Sequence, residues 1–173
     1  MGLCYRLRQG LGRLRAQVQP KALNFALARR LLPNALWPLY VEMPSGDQWH
    51  GLCVARRLMA DGWDDRDLLA AALLHDVGKA GGGLTLVHRT SIIIANALHT
   101  DWVRRLGACA TGCFCRPFYV QVHHAELGAE RVRQAGGSDA LVALIAGHER
   151  SAARLPGDLA APQQALIAAD EAC

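Results

Sequence analysis

The sequence predicts an all-α protein, a bundle of helices, and three observations carry that expectation. Leu and Ala dominate a chain that is 51% hydrophobic but only 6% aromatic, a composition that favours helix. Apolar residues recur at intervals of three and four along most of the 173 residues, the period of a helix face. No run of β-branched residues alternates long enough to argue a strand.

The elements follow in order. Leu3, Leu7, Leu11, Leu14 and Val18 mark a first helix over Leu3–Val18, with Arg6, Arg8, Arg13 and Arg15 around its apolar face. A second covers Ala22–Leu32 and ends at Pro33, which cannot extend a helix. Asp47–Ala60 is a third, closed by the Gly-containing turn "ADGWDD". Asp67–Val77 is the most apolar helix and stops at Gly78, followed by the loop "KAGGGLT". Ser91–Leu106 reads as a helix and "GACATGCFCRP" as a second loop. Val120–Gln134 ends at Gly136-Gly137, and Asp139 caps a helix that runs to Glu149. Pro156–Pro162 is a linker, and Gln163–Cys173 is the last helix. Residues 1–42 are expected to form a basic helical segment that packs on or precedes the core, and residues 43–173 the main domain.

Several classes are disfavoured. The N-terminus lacks the apolar core of a secretion signal, so a cytoplasmic location is expected. The stretch "SIIIANAL" falls far short of the ~18 apolar residues of a membrane span. Arg6 stands where a myristoylation motif needs Ser or Thr. The six cysteines (Cys4, Cys53, Cys109, Cys113, Cys115 and Cys173) are expected to be free thiols. The cluster Cys109, Cys113, Cys115 has no zinc-site spacing. Seven basic residues precede Glu42, the first acidic one. The first helix is therefore expected to pack on the domain with a solvated basic face, its other use being weak contact with anionic membrane or nucleic acid.

Polar residues interrupt the apolar faces in a repeated way. His50 shares a face with Cys53, Val54 and Leu58; His124 with Leu127, Gly128, Val132 and Ala135; His148 with Leu141, Leu144 and Ile145. Asp170 continues the line of Leu166 and Ile167, and His75 and Asp76 end the most apolar helix. A lone inward histidine is ordinarily a satisfied core residue. A buried unpaired carboxylate, however, costs several kcal/mol, so Asp76 and Asp170 need a cation or strong donors. A metal would satisfy both carboxylates and the four imidazoles together. This N/O donor set suits one or two divalent ions of Mn, Fe, Zn or Co better than Mg or Ca. Gly128 would leave room beside such a centre. Lys79 stands out because the chain has 17 Arg and only two Lys; a compact ammonium there suits a phosphate oxygen.

His50, then His75-Asp76 in "LLHDVGK", then Asp170 in "LIAADEA", resembles the HD-domain metal-dependent phosphohydrolase superfamily. The resemblance spans Asp47 to Asp170 and implies a helical bundle around a metal centre. By resemblance His50, His75, Asp76 and Asp170 hold a first metal. "HHAELGAERV" and "LIAGHE" are similar to the ligand helices of two-metal subfamilies, some of which are cyclic-dinucleotide phosphodiesterases. There Asp76 would bridge to a second metal completed by His124 and His148. The chain departs from the cyclic-di-GMP group: "GHERSAARLPGD" has one His and no Gly-Tyr-Pro. The implied activity is hydrolysis of a phosphoester or phosphodiester, a nucleotide or a cyclic dinucleotide, by metal-activated water, with Asp76 and Lys79 in catalytic roles. His123 or Arg150 would assist, or else be surface residues; His88 and His99 are expected to be exposed. The same centre also fits a non-catalytic nucleotide-binding signalling module and a diiron oxygenase of this fold, and the N-terminal arginines also fit a nucleic-acid binder.

Overall fold

Helix α4, Arg66–Leu74, lies at the centre of the described helices because nothing on it beyond Arg66 and Asp67 asks for water. Every residue from Leu68 to Leu74 is buried, and each of its leucines contributes about 1.5–3 kcal/mol by leaving solvent. Asp65 starts the helix, its carboxylate accepting the Leu68 amide at 2.7 Å. The computed structural model describes residues 21–80, 116–149 and 155–173. Among these the chain forms seven α-helices, three short 3-10 turns and no strand, as the composition predicts.

The remaining helices are α1 (Lys21–Leu31), α2 (Trp37–Glu42), α3 (Ser45–Ala60), α5 (Arg116–Gln134), α6 (Asp139–Gly147) and α7 (Ala160–Ala172). Helices α3, α6 and α7 pack directly on α4, while α5 packs on α6 and on the turn Val77–Lys79 that follows α4. Two glycines set how close these elements come. A Cβ on Gly51 of α3 would lie 2.9 Å from the Leu73 carbonyl oxygen, and one on Gly78 only 2.0 Å from the His124 carbonyl oxygen. Gly78 therefore brings the backbone of α5 against the end of α4. The N-terminal helices α1 and α2 are joined to each other by an aromatic cluster of Phe25, Trp37 and Tyr40. Gln48 of α3 adds a hydrogen bond from its Nε2 to the Tyr40 carbonyl oxygen at 2.9 Å.

Helices α3 and α7 run parallel. His50 meets Asp170 and Cys53 is joined to Cys173 by a disulfide, both pairs separated by 120 residues. This overturns the expectation of free thiols for Cys53 and Cys173. The pairing depends on the middle of α3 meeting the end of α7 in space, which cysteine spacing cannot disclose.

Several boundaries also differ from expectation. Ser138, not Asp139, caps α6, its hydroxyl accepting the Leu141 amide at 3.1 Å. The expected linker Pro156–Pro162 instead holds a 3-10 turn, Gly157–Leu159, and the first residues of α7. Helix α2 escaped prediction because it is short and has Pro38 in its first turn. The expected helices Leu3–Val18 and Ser91–Leu106 lie outside the described residues. So do Cys109, Cys113 and Cys115, together with His88, His99 and Arg150. No helix among the described residues is long and apolar enough to cross a membrane.

Candidate metal centre

The centre begins where α4 stops. His75 is the last residue in helical conformation, and Asp76 turns the chain into the 3-10 segment Val77–Lys79. Both residues are 2% exposed. His50 reaches the same region from α3, His124 from α5, His148 from the end of α6, and Asp170 from α7. The four imidazoles form a row: ring centroids are 5.2 Å apart for His50–His75, 5.1 Å for His75–His148 and 5.2 Å for His124–His148.

Three of these rings are oriented in the same way. Nδ1 of His75 donates to the Ala72 carbonyl at 3.0 Å, Nδ1 of His124 to that of Gln121 at 2.9 Å, and Nδ1 of His148 to that of Ile145 at 2.7 Å. A carbonyl only accepts, so the proton sits on Nδ1. In the neutral ring Nε2 then presents its lone pair to the centre, the arrangement that metal-binding imidazoles use. Nε2 of His50 lies 2.7 Å from Asp170 Oδ1.

The donors fall into two overlapping groups. His50, His75 and Asp76 form one, and Asp76, His124 and His148 the other; within each group the ligand-type atoms lie within 4.8 Å of one another. Asp76 belongs to both. Its Oδ1 is 3.7 Å from His75 Nε2 and 3.5 Å from His124 Nε2. Bonds of ~2.1 Å in tetrahedral geometry put neighbouring donors roughly 3.4 Å apart. The spacing and the mixed N/O chemistry therefore both fit divalent transition ions.

Charge is balanced closely. Burial works to raise the Asp76 pKa, but Lys79, His75, His124 and His50 outweigh it and hold the carboxyl well below the usual range. Lys79 Nζ is 2.6 Å from Asp76 Oδ1. Asp170 is likewise lowered: burial opposes, while the hydrogen bond from His50 and the neighbouring His75 imidazole prevail. Burial, assisted by Lys79, lowers His124 to about 3. Burial, assisted by His75, lowers His148 to about 4. Both imidazoles are thus neutral, and able to ligate, at pH 7.

A buried cluster with this donor set at the end of an apolar helix is joined by a direct match to a known family. Residues 49–170, well over half of the chain, match the HD domain. The chain belongs to the HD-domain family. Members of this family are mostly metal-dependent phosphohydrolases, and buried His/Asp groups able to hold metal ions are typical of HD domains. No match appears among curated proteins or among solved structures.

The HD-domain centre differs from the sequence reading in detail. Gly128 does not leave room beside the centre: a Cβ there would lie 3.1 Å from the Gly78 amide nitrogen and 3.2 Å from Val77 Cγ1. Its role is close packing of α5 on the turn. His123 lies against Tyr119, with ring centroids 4.5 Å apart. Three supporting residues were not foreseen. Nη1 of Arg131 donates to the Val77 carbonyl at 3.0 Å, and Nη2 pairs with Glu42; nothing in the sequence pattern signals this. Gln163 is 1% exposed, accepts the Leu155 amide at 2.7 Å and donates to the Gly147 carbonyl at 3.0 Å, just before His148. Its signal was a polar residue on the face of Leu166 and Asp170. Glu149 Oε1 lies 3.4 Å from His124 Nε2. Partial enclosure of this carboxyl, which leaves its side chain 47% exposed, with Asp76, Glu126 and Asp170 nearby, raises it to about 7 against the pull of Lys79.

Proposed function

We propose that this HD-domain protein hydrolyses a phosphoester or phosphodiester of a nucleotide or cyclic dinucleotide, with two divalent transition ions in the centre. The observation that carries the proposal is the sharing of Asp76 between two His-containing groups. In this reading His50, His75, Asp76 and Asp170 would hold one ion, and His124 and His148, with Asp76 shared, would hold the other. Ions in such sites activate water at neutral pH and neutralise charge on the phosphoryl group.

The chain's own residues supply the rest. Asp76 stays ionised because Lys79 and the surrounding imidazoles outweigh its burial. The Nδ1 hydrogen bonds fix three imidazoles before anything binds, which limits reorganisation during the reaction. Lys79, 13% exposed beside Asp76, brings an ammonium to a non-bridging phosphoryl oxygen. The buried surroundings strengthen each of these charge interactions relative to water. The absence of Gly-Tyr-Pro after His148 separates this chain from the cyclic-di-GMP group and favours other substrates of the same chemistry.

The test is metal analysis of purified protein together with turnover of a panel of phosphate esters in Mn or Fe. His75→Ala and Asp76→Ala are compared with wild type. Expected are metal-dependent turnover by wild type and none by either variant. A metal-loaded wild type that turns over no phosphate ester overturns the reading, and oxygen consumption in its place points to redox chemistry at the same residues.

A further inference from the structure

We propose that Glu149 is a metal-binding residue, the outer carboxylate of the His124–His148 side, as Asp170 is of the other. The inference rests on the two-ion reading above and adds a donor to it.

The two sides of Asp76 are unequal without Glu149. On the α3/α7 side stand two imidazoles and a carboxylate of their own: Asp170 Oδ1 is 2.7 Å from His50 Nε2 and 3.6 Å from His75 Nε2. On the α5/α6 side stand His124 and His148, which among the described residues in these groups have only the shared Asp76 as a carboxylate. Glu149 Oε1, 3.4 Å from His124 Nε2, stands where the missing carboxylate belongs. That spacing is the roughly 3.4 Å expected between donors of one tetrahedral ion.

The exposure pattern repeats across the centre. The imidazoles and Asp76 are at most 4% exposed, whereas the side chains of Asp170 and Glu149 are 31% and 47% exposed. Each side thus has a buried imidazole pair and one acid that reaches in from the solvent edge. Glu149 is able to do this because α6 ends at Gly147 and His148 caps it. The next residue leaves the helix and turns back toward His124. Charge argues in the same direction. Two divalent ions bring four positive charges, against which Asp76 and Asp170 offer two negative ones. A third carboxylate reduces the excess where Lys79 already adds a positive charge.

The experiment titrates metal-free full-length protein with Co²⁺, following ions bound per chain and the visible absorption of each equivalent. Glu149→Gln removes the charge while keeping the shape, and Asp170→Asn is the mirror variant. Expected are two ions for wild type. In Glu149→Gln one ion remains tight, and the other is weakened by at least about tenfold with altered absorption. In Asp170→Asn the opposite ion is affected. A Glu149→Gln protein that takes up two ions with wild-type affinity and absorption overturns the proposal and leaves the two-ion reading standing. Wild type that takes up fewer than two ions overturns the two-ion reading itself, and Glu149 with it. Metal-free melting distinguishes a structural role: Glu149→Gln melting no lower than wild type at pH 7 supports ligation, and lowered melting with loss of both ions overturns it.

Discussion

The two sides of the metal centre are held in different ways. The α3/α7 side is tied twice over. His50 bonds Asp170, and one helical turn further on Cys53 is joined to Cys173. Among the described residues the α5/α6 side has no such staple. His124 is set by the contact of α5 with Gly78, and His148 by Gln163 holding the Gly147 carbonyl. Its outer acid, Glu149, is the most exposed group of the set. One side is braced by long-range bonds between parallel helices, the other by close packing and one buried amide. The lesson is that a shared carboxylate such as Asp76 can serve both only if α4 holds it still, which the fully buried Leu68–Leu74 segment does.

The comparison is broken most severely at Asp76. Asp76→Ala should release both ions and lower turnover by at least about 10²–10³-fold, the cost of removing central electrostatic stabilisation. His50→Ala and His148→Ala should each leave one ion, on opposite sides. Metal counting on the three purified variants distinguishes these outcomes.

A smaller effect is expected at the staple. Replacing Cys53 and Cys173 by Ser, or reducing the native protein, should lower unfolding free energy by about 2–4 kcal/mol. Both ions should still bind at 25 °C. Urea unfolding with and without reductant checks the first expectation, and metal counting the second.

The unstapled side is probed at Gly78. Ala there would set a Cβ 2.0 Å from the His124 carbonyl oxygen and 2.7 Å from the Gly128 amide. Backbone atoms cannot swing away, so α5 must move. A cost of about 1–3 kcal/mol follows from overpacking, and the ion near His124 should weaken before the one near His50. Equal weakening of both ions would contradict the separation of the two sides.

The mildest test is pH. His124 and His148 are lowered from 6.5 to about 3 and about 4. Below pH 6.5 the unfolded chain takes up protons that the folded imidazoles refuse, so stability falls as pH drops toward about 4. Glu149, raised from 4.5 to about 7, has the opposite sign: its contribution is complete below 4.5 and lost as pH rises through 7. Two imidazoles outweigh one carboxyl. Metal-free protein should therefore have a lower urea midpoint at pH 4.5 than at pH 7, and Glu149→Gln should steepen the fall. A midpoint that rises on acidification would contradict these shifts.

Much of this is legible in the sequence because the apolar faces are so uniform. An imidazole or carboxylate on a Leu/Ala face stands out, and His50, His75, Asp76, His124, His148 and Asp170 are the residues that the fold brings together. Glu149 was not legible, since it lies beyond the end of α6 and on no helix face. The disulfide was not legible either, because it requires α3 and α7 to be parallel and in register across 120 residues. Gly128 was misread for a related reason. A missing side chain on an inward face looks like space, and here Gly78 fills it. Helix ends moved where a cap or a proline decided the start, as Ser138 and Pro38 did.

The central claim is that Asp76 joins two ions. Anomalous diffraction from crystals of metal-loaded wild-type protein tests it most directly. The account predicts two peaks per chain about 3.5–4 Å apart, with Asp76 oxygens on both, His50 and His75 on one, and His124 and His148 on the other. A single peak, or two peaks of which only one touches Asp76, would contradict it.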